Sequence, residues 1–329
     1  MSLWYTKKTP EFVPKYSKSV IHPFTIKGYQ GLTINPYQGC QYRCGYCYAT
    51  YEWSPEFYDK IYAKSNAPEI LEKQLKSWKY ETIYPVMVSS ATDAYQPAEI
   101  KYGLTRRCVE VLQKYDIPYY VFTKSTIISR DLKLHMKYKD SCFIIWSITT
   151  CDEKTRRLIE PGTPPASSIF TVIKKFVDVG IRCGVNIDPI LPLITDSEND
   201  IKKILDSCHK AGINYVFGAV LRLRSDIWKR IKIILKLLNI KNGINEYKGS
   251  IYQFVEPLKP GYNIAANETY SRKAIESLEQ KVLEKGMIFD FPYLIGRRPI
   301  KRNASDNNDN NHSTNDTNNG QQLTIMSYM

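Results

Sequence analysis

Short runs rich in β-branched and aromatic residues alternate with longer stretches whose apolar residues recur at helical spacing. This alternation limits the folds open to the chain. The apolar runs are "LTIN" (32–35), "YPVMVSS" (84–90), "PYYVFTK" (118–124), "CFIIWSITT" (142–150), "IRCGVNIDPIL" (181–191) and "NYVFGAVLRL" (214–223). Between and after them lie "PEILEKQLKSWK", "KYGLTRRCVEVLQKY", "RDLKLHMKYK", "SIFTVIKKFVDVG", "ENDIKKILDSCHKAG" and "DIWKRIKIILKLLN", two of which close with Gly as helices often do. Strands alternating with helices imply parallel βα units with both sheet faces covered. Six units predict an α/β fold, a partial (β/α)6 barrel of TIM type rather than a closed eight-stranded one. Chemistry is then expected at the C-terminal ends of the strands. The core barrel is expected over residues 25–260, after an N-terminal extension (1–24) and before a C-terminal helical extension (261–302). The Asn-rich tail (303–329) is too polar to bury a core and reads as disordered.

No run approaches the roughly 18 consecutive apolar residues of a membrane span. The start, "MSLWYTKKTPEFVPKYSK", has no apolar signal-peptide core. A cytoplasmic monomer without a membrane partner is therefore expected. The formal charge is +13, and the last 27 residues contribute Asp306, Asp309 and Asp316 but no Lys or Arg, so residues 1–302 carry +16. Such a surplus favours a polyanionic partner such as nucleic acid, against the competing reading of Lys-rich composition bias.

The stretch "INPYQGCQYRCGYCYA" places Cys40, Cys44 and Cys47 within eight residues, directly after the first strand. Three thiols at fixed spacing can grip a metal, form disulfides or simply be buried. Cytosolic thiols stay reduced, which disfavours disulfides. The other five cysteines are scattered singly and the four histidines form no H-x-x-x-H pair, so the partners of common structural zinc sites are missing. Four thiolates saturate a [4Fe–4S] cluster, whereas three leave one iron open to a ligand. Gly39 and Gly45 would relieve backbone crowding where the loop wraps closely.

"CQYRCGYC" resembles the signature of the radical S-adenosylmethionine superfamily, including the aromatic residue before the third Cys. The resemblance implies one [4Fe–4S] cluster on Cys40, Cys44 and Cys47, with S-adenosylmethionine chelating the open iron. It also implies reductive cleavage to methionine and a 5′-deoxyadenosyl radical, fed by a flavodoxin- or ferredoxin-type electron donor. "NPYQGCQYRCGYCYA", "KIYAKSNAPEIL", "SSATDAYQPAE", "SITT", "LIEPGTPP" and "DPILPLITD" are similar to proteins related to spore photoproduct lyase, a DNA repair enzyme. By that similarity Tyr46 faces the adenine, and Ser89 and Ser90 meet the methionyl amino group. Thr92 and Asp93 stand at the barrel mouth to hold an ammonium or ribose hydroxyl. Ser147 contacts ribose, and Asn186 and Asp188 read ribose or adenine. Glu160 is either a helix N-cap or substrate-facing, and Lys64 matches a family position for which a surface salt bridge is the plain alternative.

The chain also departs from that branch. Relatives carry Arg-Leu shortly after "EPGTP", where this sequence reads "SSIFTVI"; Arg156, Arg157 or Arg222 would have to substitute. The lyase mechanism implied by the resemblance uses a further cysteine near the end of the second strand as hydrogen donor. Here Ser89, Ser90 and Ala91 occupy that region, leaving Cys142 or Cys151 as substitutes. No Cys follows Cys208, so a single cluster is the limit. The leading expectation is a radical enzyme whose substrate and catalytic residues the sequence does not identify, with nucleic acid the class favoured by charge. The alternative is a non-enzymatic nucleic-acid-binding protein with a structural metal loop, favoured by "LRLRSDIWKRIK" and "GRRPIKR".

Overall fold

The structure is a computed structural model. It describes all residues except 1–4, 6–7, 27–28, 53–55, 81, 292–297 and 300–329. The disordered-tail expectation lies outside the described residues.

One eight-stranded sheet dominates. Its members are β1 (Ile21–Ile26), β2 (Tyr29–Ile34), β3 (Val86–Val88), β4 (Tyr119–Thr123), β5 (Cys142–Ser147), β6 (Cys183–Ile190), β7 (Tyr215–Val220) and β8 (Ile288–Phe289). They lie side by side in chain order, all parallel except for the antiparallel β1–β2 pair. The six consecutive parallel strands β2 to β7 are the six apolar runs of the sequence. Among the described residues the two edge strands do not pair with each other, so the sheet is open, as a partial barrel requires. The register is in step: Ile34 faces Val88, which faces Val121, which faces Ile144, which faces Cys183.

Helices α1 (Ala67–Lys76), α2 (Leu104–Lys114), α3 (Ala166–Asp178) and α4 (Glu198–Ala211) carry the crossovers, and α5 (Ser225–Leu237) and α6 (Glu268–Glu284) follow β7. Each turns an apolar stripe inward, as in α3 with Ile169, Val172, Ile173 and Phe176 buried. Fully buried Trp146 of β5 meets the Phe176 ring edge-on at 5.3 Å. Ser197 caps α4 by accepting from the Asp200 amide, and Gly212 ends it in the left-handed region (φ 77°).

Two sequence expectations are refined. The helical stretch 101–115 is broken at Gly103 into Ala98–Tyr102 and α2. Residues before 25 join the sheets: Glu11–Lys15 runs parallel to Lys60–Lys64, which pairs with Tyr37–Gln38 just ahead of the cysteines. At the other end, α6 lies against β7 with Leu278 and Val282 buried, and leads into β8 on the sheet edge.

Candidate active site

The cysteine loop leaves β2 at the C-terminal edge of the sheet and is held from three sides. Gly39 turns it with φ 86°; a Cβ there would stand 2.2 Å from the Lys60 carbonyl oxygen, so only glycine fits. The Cys40 amide donates to the Phe57 carbonyl at 3.1 Å, and the Tyr58 hydroxyl donates to the Cys44 carbonyl at 2.6 Å. From the "LIEPGTPP" segment, the Ile159 carbonyl accepts from the Gly45 amide at 2.7 Å, and the Gly162 amide donates to the Tyr42 carbonyl at 3.1 Å. Arg43, itself left-handed (φ 52°), is fixed by Asp59 at 3.3 Å and by the Lys8 carbonyl at 2.8 Å. Arg230 of α5 holds the third side, donating to the Gly45 carbonyl at 2.7 Å.

Cys40 and Cys44 are buried and Cys47 is half-buried, all three as free thiols. Burial pushes the Cys40 thiol up to about 12 and raises Cys44 and Cys47 as well; Cys47 adds to the rise of Cys40, and Cys40 and Cys47 to that of Cys44. Thiolates form here only if a cation compensates them, which is what iron supplies. Among the described residues no three His, Cys, Asp or Glu side chains are gathered as a single metal ion requires. A four-iron cube makes a different demand, one thiolate at each of three corners.

Around this loop lie the ends of β3 to β6. Ser89 adopts φ 63°, a strained value for a residue with a side chain, and turns the chain over the sheet edge. Its buried Oγ has no hydrogen-bond partner, and neither has Thr92 Oγ1 or Asn186 Oδ1. Partnerless buried polar atoms are rare and costly, about 1–3 kcal/mol each. Here Ser89 and Thr92 follow β3, and Asn186 is the fourth residue of β6, so donors and an acceptor are left for a polar ligand. Ser90 differs: its Oγ accepts from Thr33 Oγ1 at 2.8 Å and Asn35 Nδ2 at 3.3 Å, and its carbonyl accepts from Tyr48. The Asp93 carboxylate ties β3 to β4, accepting from the Tyr95 amide at 2.8 Å, Thr123 Oγ1 at 2.7 Å and the Lys124 amide at 2.6 Å; burial pushes it up to about 6. Half-buried Asp188 follows Asn186 along β6, past the point where its register against β7 shifts; desolvation raises it to about 7 against the opposing pull of Lys124.

Sequence reasoning missed Lys124. Its ammonium reaches Glu160 Oε1 at 3.1 Å and the Ser147 carbonyl at 3.2 Å, and lies 5.5 Å from the centre of the Tyr46 ring. The Tyr46 hydroxyl bonds Glu160 and stands 3.0 Å from Thr149 Oγ1. Glu160 thus caps no helix N-terminus; it closes the helix Glu153–Ile159 as its C-cap residue, and its carboxylate is not free. The signal that could have found Lys124 is a lysine at the end of a predicted central strand, where a buried charge needs a partner. Buried Arg156 spends its guanidinium on Glu153 and Thr163, which removes it as a substitute for the branch arginine. Lys64 is buried, with no carboxylate partner among the described residues; burial and Lys15 lower its amine, contrary to a surface salt bridge. Cys142 opens β5 at the opposite end from the mouth, its Sγ 3.7 Å from the His135 carbonyl, and so cannot reach in. No helix among the described residues is long and apolar enough to cross a membrane.

An uncharacterized protein of Mycobacterium tuberculosis is 31% identical over 209 residues, 60% of this chain and 61% of that protein. The chain thus spans about three fifths of the length of that relative. An uncharacterized protein of Acidianus two-tailed virus is 28% identical over 227 residues, covering 62% of this chain and 74% of its own. Among solved structures, spore photoproduct lyase complexed with dinucleoside spore photoproduct superposes with a TM-score of 0.60 at 11% identity, over 83% of this chain and 79% of that one. At that identity the likeness concerns the fold. The family model described as Radical SAM superfamily matches residues 34–208, from the last residue of β2 through the cysteine loop and β3 to β6 into α4. With more than half of its length inside that model, the chain belongs to the radical SAM superfamily.

Proposed function

We propose that the chain is an enzyme that holds one [4Fe–4S] cluster on Cys40, Cys44 and Cys47 and binds S-adenosylmethionine across the ends of β3 to β6. When bound and reduced by an outside electron donor of flavodoxin or ferredoxin type, the cluster supplies the electron that splits the cofactor into methionine and a 5′-deoxyadenosyl radical, which takes a hydrogen atom from substrate. The observation that carries this reading is the trio of buried, partnerless atoms, Ser89 Oγ, Thr92 Oγ1 and Asn186 Oδ1, beside a loop of three free thiols. Family membership implies both groups, and the residues present fit them.

In this reading Ser89 and Thr92 meet the methionyl amine, and Ser90 shapes the close approach through its ties to Thr33 and Asn35. Tyr46 offers a ring face held rigid by Glu160 and Thr149, against which an adenine packs. Asp93 locks two strand ends together so that this surface is preformed. Ser147, Asn186 and Asp188 line the ribose and adenine side. Lys124, held by Glu160, places a positive charge at the mouth. The +13 formal charge supports a nucleic-acid substrate class, with the reaction after hydrogen abstraction left unassigned. A cytoplasmic monomer is part of the same proposal.

The test is anaerobic reconstitution with iron and sulfide, then addition of dithionite and S-adenosylmethionine. Release of 5′-deoxyadenosine is expected, and its loss in Cys40→Ala, Cys44→Ala and Cys47→Ala together with the cluster's visible absorption. A Cys44→Ala variant that retains full cleavage would overturn the assignment.

A further inference from the structure

Two arginines of the basic stretch "LRLRSDIWKRIK" reach the cysteine loop. Arg224 donates to the Tyr48 carbonyl at 3.2 Å, and Lys232 pairs with Glu256 at 2.6 Å. Arg230 goes furthest. Its Nε donates to the Gly45 carbonyl at 2.7 Å, and one terminal nitrogen lies 3.3 Å from the Cys47 carbonyl, 3.0 Å from Thr50 Oγ1 and 3.0 Å from Asp226 Oδ2. Thr50 Oγ1 also stands 2.8 Å from the Cys47 carbonyl and 2.7 Å from Asp226 Oδ2. Asp226 and Arg230 are one helical turn apart on α5, the spacing at which side chains meet. The side chain of Arg230 is only 15% exposed. The other carboxylate oxygen, Asp226 Oδ1, is buried and makes no hydrogen bond, although the Asp226 side chain as a whole is 30% exposed.

An ion pair placed this way does more than fasten a loop. Its positive end faces the Gly45–Cys47 turn, which lies between two of the three thiols. In a weakly screened site a cation favours whichever state of a neighbouring centre is more negative. An iron–sulfur cluster becomes more negative by one charge on reduction, and local charge is one of the levers on its potential.

We propose that Arg230, oriented by Asp226, is a positioning residue that locks the Gly45–Cys47 turn and makes the cluster easier to reduce. This rests on the cluster assignment given under the proposed function. Neither residue touches the cofactor surface formed by β3 to β6; both act through the loop.

The experiment uses the full chain, reconstituted anaerobically, with the potential followed by an EPR-monitored titration and iron release to a chelator measured in parallel. For Arg230→Gln the expected result is about a tenfold fall in the reduced-to-oxidised ratio at a fixed poise, equivalent to 59 mV for a one-electron couple. Asp226→Asn is nearly isosteric and removes the negative end, so its shift should have the opposite sign. Arg230→Lys keeps the charge but loses the fork. It should retain most of the potential while losing iron faster. A purely structural clamp would loosen the loop in both charge variants without moving the potential in opposite directions. Shifts of the same sign, or none, would overturn the proposal. If Arg230→Gln fails to fold, the sign of the Asp226→Asn shift decides alone. Wild-type chain that takes up no iron and sulfide would instead overturn the cluster assignment beneath it.

Discussion

The Lys124 ammonium and the Glu160 carboxylate meet at 3.1 Å between the end of β4 and the "EPGTPP" segment, with side chains 12% and 4% exposed. Burial opposes both charges, yet the pair prevails: Lys124 is held above its usual amine value and Glu160 below its usual carboxylate value. Thr149 adds a hydrogen bond at 2.8 Å, and Tyr46 connects the pair to the cysteine loop. Removing one member of a buried pair strands the other charge, at a cost of about 3–5 kcal/mol. Glu160→Gln should therefore lower stability by that order in chemical denaturation. The double variant Lys124→Met/Glu160→Leu should lose much less than the sum of the single changes. Additive losses would show that the two do not act as a unit.

Gly162 is where the "EPGTPP" segment touches the cysteine loop. A Cβ there would stand 2.5 Å from the Gln41 carbonyl oxygen and 2.8 Å from Tyr42 Cα, both backbone atoms that cannot swing aside. Gly162→Ala must push the loop away. Overpacking of this kind costs about 1–3 kcal/mol, and here the strain falls on the turn between Cys40 and Cys44. Iron and sulfide content after reconstitution should drop well below wild type, while Gly249→Ala, which meets open space, leaves it unchanged.

His135 gives the chain an acid-sensitive core. Its ring is fully buried, with Nε2 2.9 Å from the Tyr95 hydroxyl and Nδ1 3.0 Å from the Tyr119 hydroxyl. Burial lowers it from 6.5 to about 4, with Asp131 pulling weakly the other way. Below pH 6.5 the unfolded chain takes up a proton that the folded chain refuses. The stabilisation is thus complete above that value and is lost as pH falls toward 4. A shift of this size corresponds to about 3 kcal/mol. In His135→Gln the decline of stability between pH 6.5 and 4 should be shallower; an unchanged acid limb would place the sensitivity elsewhere.

If the positive body binds nucleic acid, affinity should fall with salt at a log–log slope of about −0.9 per neutralised phosphate on duplex DNA. The stretch "LRLRSDIWKRIK" now counts less toward that surface, because Arg230 and Lys232 are committed to the Gly45 carbonyl and Glu256. Among the basic stretches this leaves "GRRPIKR", so Arg297→Ala/Arg298→Ala should lower the slope by roughly two contacts. No binding at low salt would favour composition bias over a polyanionic partner.

The six parallel strands were legible because each is a short apolar run between helical patterns, and period and length are local properties. Cys40, Cys44 and Cys47 were legible because their spacing lies within one loop. The supports of that loop were not. Arg230 acts 185 residues from Gly45, and Lys124 acts 36 residues from Glu160. Such pairs leave no periodic trace, and a basic helix face reads the same whether it meets phosphate or a backbone carbonyl. The strand within the N-terminal extension left no trace for a similar reason. Glu11–Lys15 finds its partner strand across the whole cysteine loop, at Lys60–Lys64.

The last prediction concerns hydrogen return. The lyase-type mechanism implied by resemblance needs a thiol close to the bound substrate, because an S–H bond yields its hydrogen atom to a carbon radical far more readily than a serine O–H. At the end of β3 this chain has Ser89, with a buried and unpaired hydroxyl, and Ser90, whose hydroxyl is spent on Thr33 and Asn35. Cys142 lies five residues before Ser147, about 16 Å away along an extended strand, and its thiol faces the His135 carbonyl. Cys151 follows β5 but packs against the core, with Ser207 of α4 beside its thiol. The three loop thiols are reserved for iron under the proposed function. Among the described residues no other thiol stands where a substrate radical at the mouth could reach it. The chain should therefore cleave S-adenosylmethionine but fail to turn over a dinucleoside spore photoproduct. Repeated turnover that disappears in Cys142→Ala or Cys151→Ala would show that the strand ends move enough to bring one of these thiols in.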